Sequence, residues 1–269
     1  MKEFKSFYKT VGGNEGSKCL YPTRLDTYGC GCQHDCAYCY AKSLLNFRGL
    51  WDAKEPSIAN LDKIESKVEK LKPGSIVRLG GMTDCFQPLE EQEQVTLGTI
   101  ELLNKYGIGY LIVTKSDLIC EYMHILDKDL AHIQISVTWL PCEKAVSTER
   151  RIAAIEHLEE AGFDVAVRLS PYVPGVVDFE RLNKIRCKKI QVEFLRVNHW
   201  IRKWLPIDYA DYTLHHAGYD HLPLEKKITA LAKITGFDEV SVCEDVSEHY
   251  DYWRECVNHN KEDCCNLRK

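Results

Sequence analysis

The chain has 269 residues, 45% hydrophobic and 28% charged, which suits one large α/β domain or two small ones with an ample core. A net charge of −5 argues against broad, charge-driven adhesion to nucleic acid; the basic residues at Arg186–Lys189, Arg196 and Arg202 suit either a local groove or a solvated face. Thirteen cysteines, no apolar run of membrane-spanning length and no apolar stretch of a secretory signal point to metal or redox chemistry, with the cytoplasm as the expected location.

In chain order, residues up to about 31 show little periodicity and are expected to be irregular, with a short strand just before a cysteine-rich loop. Leu61 to Leu71 reads as a helix and Ser75–Gly80 as a strand. A second helical pattern, Glu90 to Tyr106, places Val95, Leu102, Leu103 and Tyr106 near one face. Strands follow at Tyr110–Thr114, Ile133–Thr138, Asp164–Leu169 and Lys189–Leu195, mostly short, β-branched and apolar, as buried parallel strands are. A helix over Ser147–Ala161 carries Ile152, Ile155 and Leu158 on one stripe and stops at Gly162. Such β–α units in series predict a partial (β/α)6 TIM-like barrel over residues 1–198, with an N-terminal extension at 1–27. In such barrels chemistry sits at the carboxyl ends of the strands. Residues 199–269 hold one more helix (Leu222–Ile234) and a short strand (Glu239–Val242), and are expected to pack on the barrel.

The segment YGCGCQHDCAYCYAKSLL, Tyr28 to Leu45, sets Cys32, Cys36 and Cys39 in a C-x3-C-x2-C pattern. Three thiolates on one short loop can ligate three irons of a 4Fe–4S cubane and leave the fourth iron open as a substrate site. Zinc would need a fourth ligand such as Cys30 or His34, and the paired C-x2-C knuckles of most zinc sites are absent. The pattern, with Tyr38 at its aromatic position, resembles the signature of the radical S-adenosylmethionine (SAM) superfamily. That resemblance implies an open iron that chelates the amino and carboxylate groups of SAM. It also implies reductive cleavage to a 5′-deoxyadenosyl radical, and a reductant such as flavodoxin or ferredoxin.

Four segments carry the resemblance further, over about residues 28–180: CQHDCAYCYAKSL, GMTDCFQPLE, VTKSDLI, and the long run from SVTWLPCEKAVSTERR to SPYVPGVVD. Their order and spacing are similar to those of spore photoproduct lyase and its relatives. The resemblance implies that Gly80, Gly81 and Thr83 meet the amino group of SAM. The acid of the family's Gly-Gly-acid element is replaced by Met82, with Asp84 nearby to compensate. It further implies cofactor contacts from Lys115, Ser116, Ser136 and Thr138, and from Arg168 and Ser170 to SAM carboxylate or ribose; polar residues at strand ends also cap helices. Cys85 stands where the family pattern has proline, and Phe86 where it has tyrosine. Cys85 and Cys142 both follow predicted strand ends, so either is a candidate hydrogen-atom donor or a buried apolar thiol.

Two later regions bear on substrate. Beyond the last barrel strand, Arg196 and Asn198 share one face if the strand continues, and Glu193 takes the other unless a bulge shifts the register. With Trp200 these are the candidate substrate contacts, and the aromatic–basic mixture after them suits either stacked bases or core packing. Cys243, Cys256, Cys264 and Cys265 could hold a second iron–sulfur cluster or zinc, with His249 or His259 as further ligands, or be unconnected thiols. The expected activity is radical SAM chemistry on a nucleobase, a thymine-type lesion or modified nucleotide, with carbon–carbon cleavage or rearrangement and no membrane partner. Alternatives are rearrangement during hypermodification of thymine or of a peptide, or a non-catalytic iron–sulfur or zinc regulator that binds nucleic acid.

Overall fold

A computed structural model describes residues 4–12, 17–140 and 144–268. Its frame is an eight-stranded sheet in the order β1-β2-β5-β6-β7-β8-β9-β12. The strands are β1 (Phe7–Lys9), β2 (Thr23–Leu25), β5 (Ile76–Leu79), β6 (Gly109–Thr114), β7 (Ala131–Ser136), β8 (Asp164–Tyr172), β9 (Lys189–Phe194) and β12 (Glu239–Val242), while β3 (Tyr28–Gly29) with β4 (Ser57–Ile58) and β10 (Leu214–His216) with β11 (Tyr219–His221) form two small antiparallel pairs. Only β1 is antiparallel; from β2 to β12 every neighbouring pair runs parallel. Strands β2 and β5 to β9 are the expected six, and β12 adds a seventh from the region after residue 198. The end strands β1 and β12 do not pair among the described residues, so the barrel is partial and open.

The period of two in each strand sorts its residues onto two faces. Val77, Leu79, Ile112, Ile133, Ile135, Val165, Val167 and Val192 join the main apolar core with helix residues such as Ile100, Leu103, Ile152, Ile155 and Leu158. Burying each such side chain contributes roughly 1.5–3 kcal/mol. The opposite face carries polar side chains that bond one another across strands. Arg168 donates from Nη1 to the Gln134 carbonyl oxygen at 2.7 Å and to Gln191, and from Nη2 to Glu193.

The expected helix from Glu90 to Tyr106 is two pieces, Glu90–Glu93 and Val95–Lys105, broken where Gln94 adopts the left-handed region at φ 51°. The cause is Glu90. Its buried carboxylate accepts the amides of Thr96 and Leu97 at 2.9 Å each, supplying a cap for the second piece. The helix Thr148–Glu160 begins as its sequence predicts, with the Ser147 side chain accepting the Arg150 amide. No helix among the described residues is long and apolar enough to cross a membrane.

Candidate active site

Between the short strand β3 (Tyr28–Gly29) and the helix α1 (Tyr40–Phe47), the cysteine loop winds through tight turns, with the Asp35 amide on the Cys32 carbonyl and the Cys39 amide on that of Cys36. Cys39 is the N-cap of α1, its Sγ accepting the Lys42 amide at 3.4 Å. Cys32 accepts the backbone amides of Asp84 and His34. Gly31 must be glycine, because an added Cβ would collide with the Asp52 carbonyl.

The segment after β5 holds this loop in place. The Thr83 hydroxyl donates to the Tyr28 carbonyl at 2.6 Å, and the Gln33 amide donates to Gln87 Oε1 at 2.8 Å. Tyr28 donates its hydroxyl to Glu90, and Tyr40 donates its own to the Gly81 carbonyl. Asp84 accepts the Thr114 hydroxyl and the Lys115 amide at 2.7 Å each, and lies 3.3 Å from His34 Nε2. Burial acts to raise the Asp84 carboxyl, but hydrogen bonding and charge from His34, with Thr114 and Lys115, outweigh it and hold it at about 2. Asp26, placed just after β2, accepts the amides of Gly81 at 2.8 Å and Met82 at 3.0 Å and the Tyr8 hydroxyl at 2.9 Å. A buried carboxylate therefore sits beneath the loop whose third position is Met82.

One cavity opens at the carboxyl ends of the strands. Cys32, Cys36, Tyr38 and Cys39 line it together with Gly80, Gly81, Thr83, Asp84, Lys115, Ser136, Arg168, Ser170, Glu193 and Arg196. Lys115 lies over the Tyr38 ring at 5.6 Å. Burial raises the Glu193 carboxyl, but the charges of Arg168, Arg196 and Arg78 prevail and keep it at about 2. Burial likewise pushes the Cys32 and Cys39 thiols up, so their thiolate forms need a nearby positive centre. The lining residues fit a thiolate-ligated cubane and a polar ligand beside it. All three thiols face the same space, and the buried Trp51 Nε1, also in the lining, has no hydrogen-bond partner among the described residues.

Other sequence candidates lie elsewhere. Cys85 is buried in the apolar core and is not in the cavity lining, so its thiol does not face the cluster loop. Cys142 falls outside the described residues. The Thr138 carbonyl accepts the Thr148 hydroxyl, and its own hydroxyl is buried away from the cavity. Glu193 and Arg196 share the cavity because the chain leaves β9 at Phe194, which replaces the strand alternation assumed for them. Asn198 instead caps the helix His199–Trp204 and donates to Ser43 Oγ, while Trp200 packs against Trp204. Cys256 is exposed and apart from Cys243, Cys264 and Cys265. Asp26, Arg78 and Trp51, all on or beneath this site, carry no motif that marks them in the sequence. Asp26 is a lone acid whose partners, the Gly81 and Met82 amides, are distant in sequence.

The family model described as the radical SAM superfamily matches residues 27–186. An uncharacterized protein of Methanocaldococcus jannaschii is 28% identical over 162 residues, 56% of this chain and 60% of that protein. The chain thus spans about three fifths of the length of this curated relative. Among solved structures, spore photoproduct lyase complexed with dinucleoside spore photoproduct matches with a TM-score of 0.62 at 16% identity, covering 87% of this chain and 79% of that one. A mutant of the same enzyme with bound S-adenosylmethionine and the dinucleoside matches at 0.58 and 16%, with the same coverage. At such identity the likeness shows the fold alone. With its three-cysteine loop at the carboxyl end of an open parallel barrel, the chain belongs to the radical SAM superfamily.

Proposed function

We infer that this chain is a radical SAM enzyme acting on a nucleobase within a nucleotide, with hydrogen abstraction leading to carbon–carbon cleavage or rearrangement. The observation that carries the reading is the single cavity shared by the Cys32, Cys36 and Cys39 thiols and the strand-end groups from Gly80 to Arg196. When bound, a 4Fe–4S cluster on those thiols and SAM supply reductive cleavage to a 5′-deoxyadenosyl radical.

The protein's part is positioning and exclusion of water. Asp26 and Tyr40 fix the Gly81–Met82 turn by its amides and carbonyl, setting the strand end that would meet the amino group of SAM. Gly80, at φ 80°, lets that turn pass the Val113 carbonyl, which a Cβ would strike. Arg168 is already engaged by Gln134, Gln191 and Glu193, so it shapes the cavity wall as part of a rigid polar network. Arg196, 5.5 and 5.8 Å from the Tyr40 and Tyr219 rings and ion-paired with Asp245 and Glu193, lines the cavity as an aromatic-flanked guanidinium for a base to stack on.

A nucleobase substrate is supported by the dinucleoside held in the structurally similar lyase and by the aromatic–basic surface nearby, where Lys42 lies over Trp204 at 5.0 Å. The test is anaerobic turnover of the reconstituted chain with dinucleoside spore photoproduct and with thymidines bearing modified 5-substituents, read by mass spectrometry. Conversion of any of these nucleosides is the expected result. Formation of 5′-deoxyadenosine with every nucleoside left intact would remove the nucleobase reading while leaving the radical chemistry standing.

A further inference from the structure

Away from the cysteine loop, four more thiols come together. Cys19 precedes β2, Cys243 follows β12, and Cys264 and Cys265 lie in the C-terminal segment. The Cys19 thiol is in hydrogen-bond contact with that of Cys265, Cys265 with Cys264, and Cys264 with Cys243. Tyr21, Leu111, Leu267, Ile76 and Val113 pack around them.

Their meeting is enforced by the fold. Segment 263–268 is laced onto the strand starts: Lys189 Nζ donates to the Asn266 carbonyl at 2.8 Å, the Arg268 amide to Asp164 at 2.8 Å and Asn266 Nδ2 to Glu239 at 2.6 Å. From within the barrel, Gln191 Nε2 donates to the Cys264 carbonyl at 2.7 Å, and Tyr21 donates to Asp263 at 2.6 Å. The tail therefore inserts two cysteines into the barrel interior, while Cys19 and Cys243 arrive from near the two edges of the open sheet. Lys18 and Asp251, 3.2 Å apart, tie the same two edges together. Arg78 and Arg168, which line the cavity, also act on Cys265 electrostatically.

We propose that Cys19, Cys243, Cys264 and Cys265 ligate a second iron–sulfur cluster behind the SAM cavity. Thiolate is the ligand such clusters use, and four protein ligands would leave no open iron. The adjacent pair Cys264–Cys265 favours a cubane over one zinc ion. Adjacent residues such as Cys264 and Cys265 place two thiolates on one tetrahedral ion only with strain, but can reach separate irons. The guanidinium groups of Arg78 and Arg168 would offset the negative charge of a tetrathiolate cluster.

The experiment is iron, sulfide and zinc analysis of the anaerobically reconstituted full chain, with a Cys32→Ala/Cys36→Ala/Cys39→Ala variant and a Cys264→Ser/Cys265→Ser variant. About eight irons and eight sulfides are expected in wild type, and about four of each in either variant. Should a variant fail to fold, electron paramagnetic resonance of reduced wild type decides, with two signals expected and only one altered by SAM. A triple variant holding no iron, or zinc in its place, overturns the proposal, as does a single wild-type signal wholly altered by SAM. Because the SAM-sensitive signal reports the first site and the insensitive one the second, failure of either is read separately.

Discussion

Asp84 shows how much one side chain organises here. Its carboxylate links His34 in the cysteine loop to Thr114 and Lys115 at the end of β6, and its amide reaches Cys32. Asp84→Asn keeps the shape but removes the charge that these donors face. We expect a loss of about 2 kcal/mol in urea unfolding, the usual scale for hydrogen bonds to a charged group, and lower iron retention. At Gly80 the constraint is steric: φ is 80° and a Cβ would meet the Val113 carbonyl. Gly80→Ala should cost at least about 1 kcal/mol by denaturation, with weaker SAM binding by calorimetry. Unchanged stability would show that the turn yields freely. The TDCFQP motif made Asp84 legible in the sequence. Asp26 was not, because it is a lone acid in an aperiodic stretch and its partners are backbone amides 55 and 56 residues away.

At the scale of elements, the parallel strands were readable because both faces are buried, which leaves dense β-branched runs such as YLIVT. The helix break at Gln94 was hidden, since its cause is the placement of the Glu90 side chain rather than a Gly or Pro. The junction of β9 and β12 with the helix Leu224–Leu231 contains a buried ionic group, Lys227 against Glu244, with His249 at 3.1 Å from the ammonium. Lys227→Met would strand the Glu244 carboxylate and should destabilise by about 3–5 kcal/mol, measured by chemical denaturation. Beside it, burial first and then Lys227 and Arg196 depress His221 to about 4, against the opposing pull of Glu244. A depressed histidine contributes its full stability above its unfolded pKa of about 6.5 and loses it as pH falls toward 4. His221 alone should thus remove up to roughly 3 kcal/mol across that window. His221→Gln should flatten the pH dependence of unfolding there, and an unaltered slope would assign it to other groups.

For the molecule as a whole, the barrel and the cluster loop are legible in the sequence because each is written locally, as alternating elements and as a C-x3-C-x2-C spacing. What assembles between distant segments was out of reach. The polar interior of Arg168, Gln134, Gln191 and Glu193 draws one or two residues from each of several strands, and Cys19 lies more than 200 residues from Cys243. The central claim is that Cys32, Cys36 and Cys39 build a centre that cleaves SAM. It is tested most directly by incubating the reconstituted chain with SAM and dithionite without oxygen and measuring 5′-deoxyadenosine. The account predicts that wild type forms it and that the Cys32→Ala/Cys36→Ala/Cys39→Ala variant does not. A wild-type chain that holds its cluster yet yields none would contradict it.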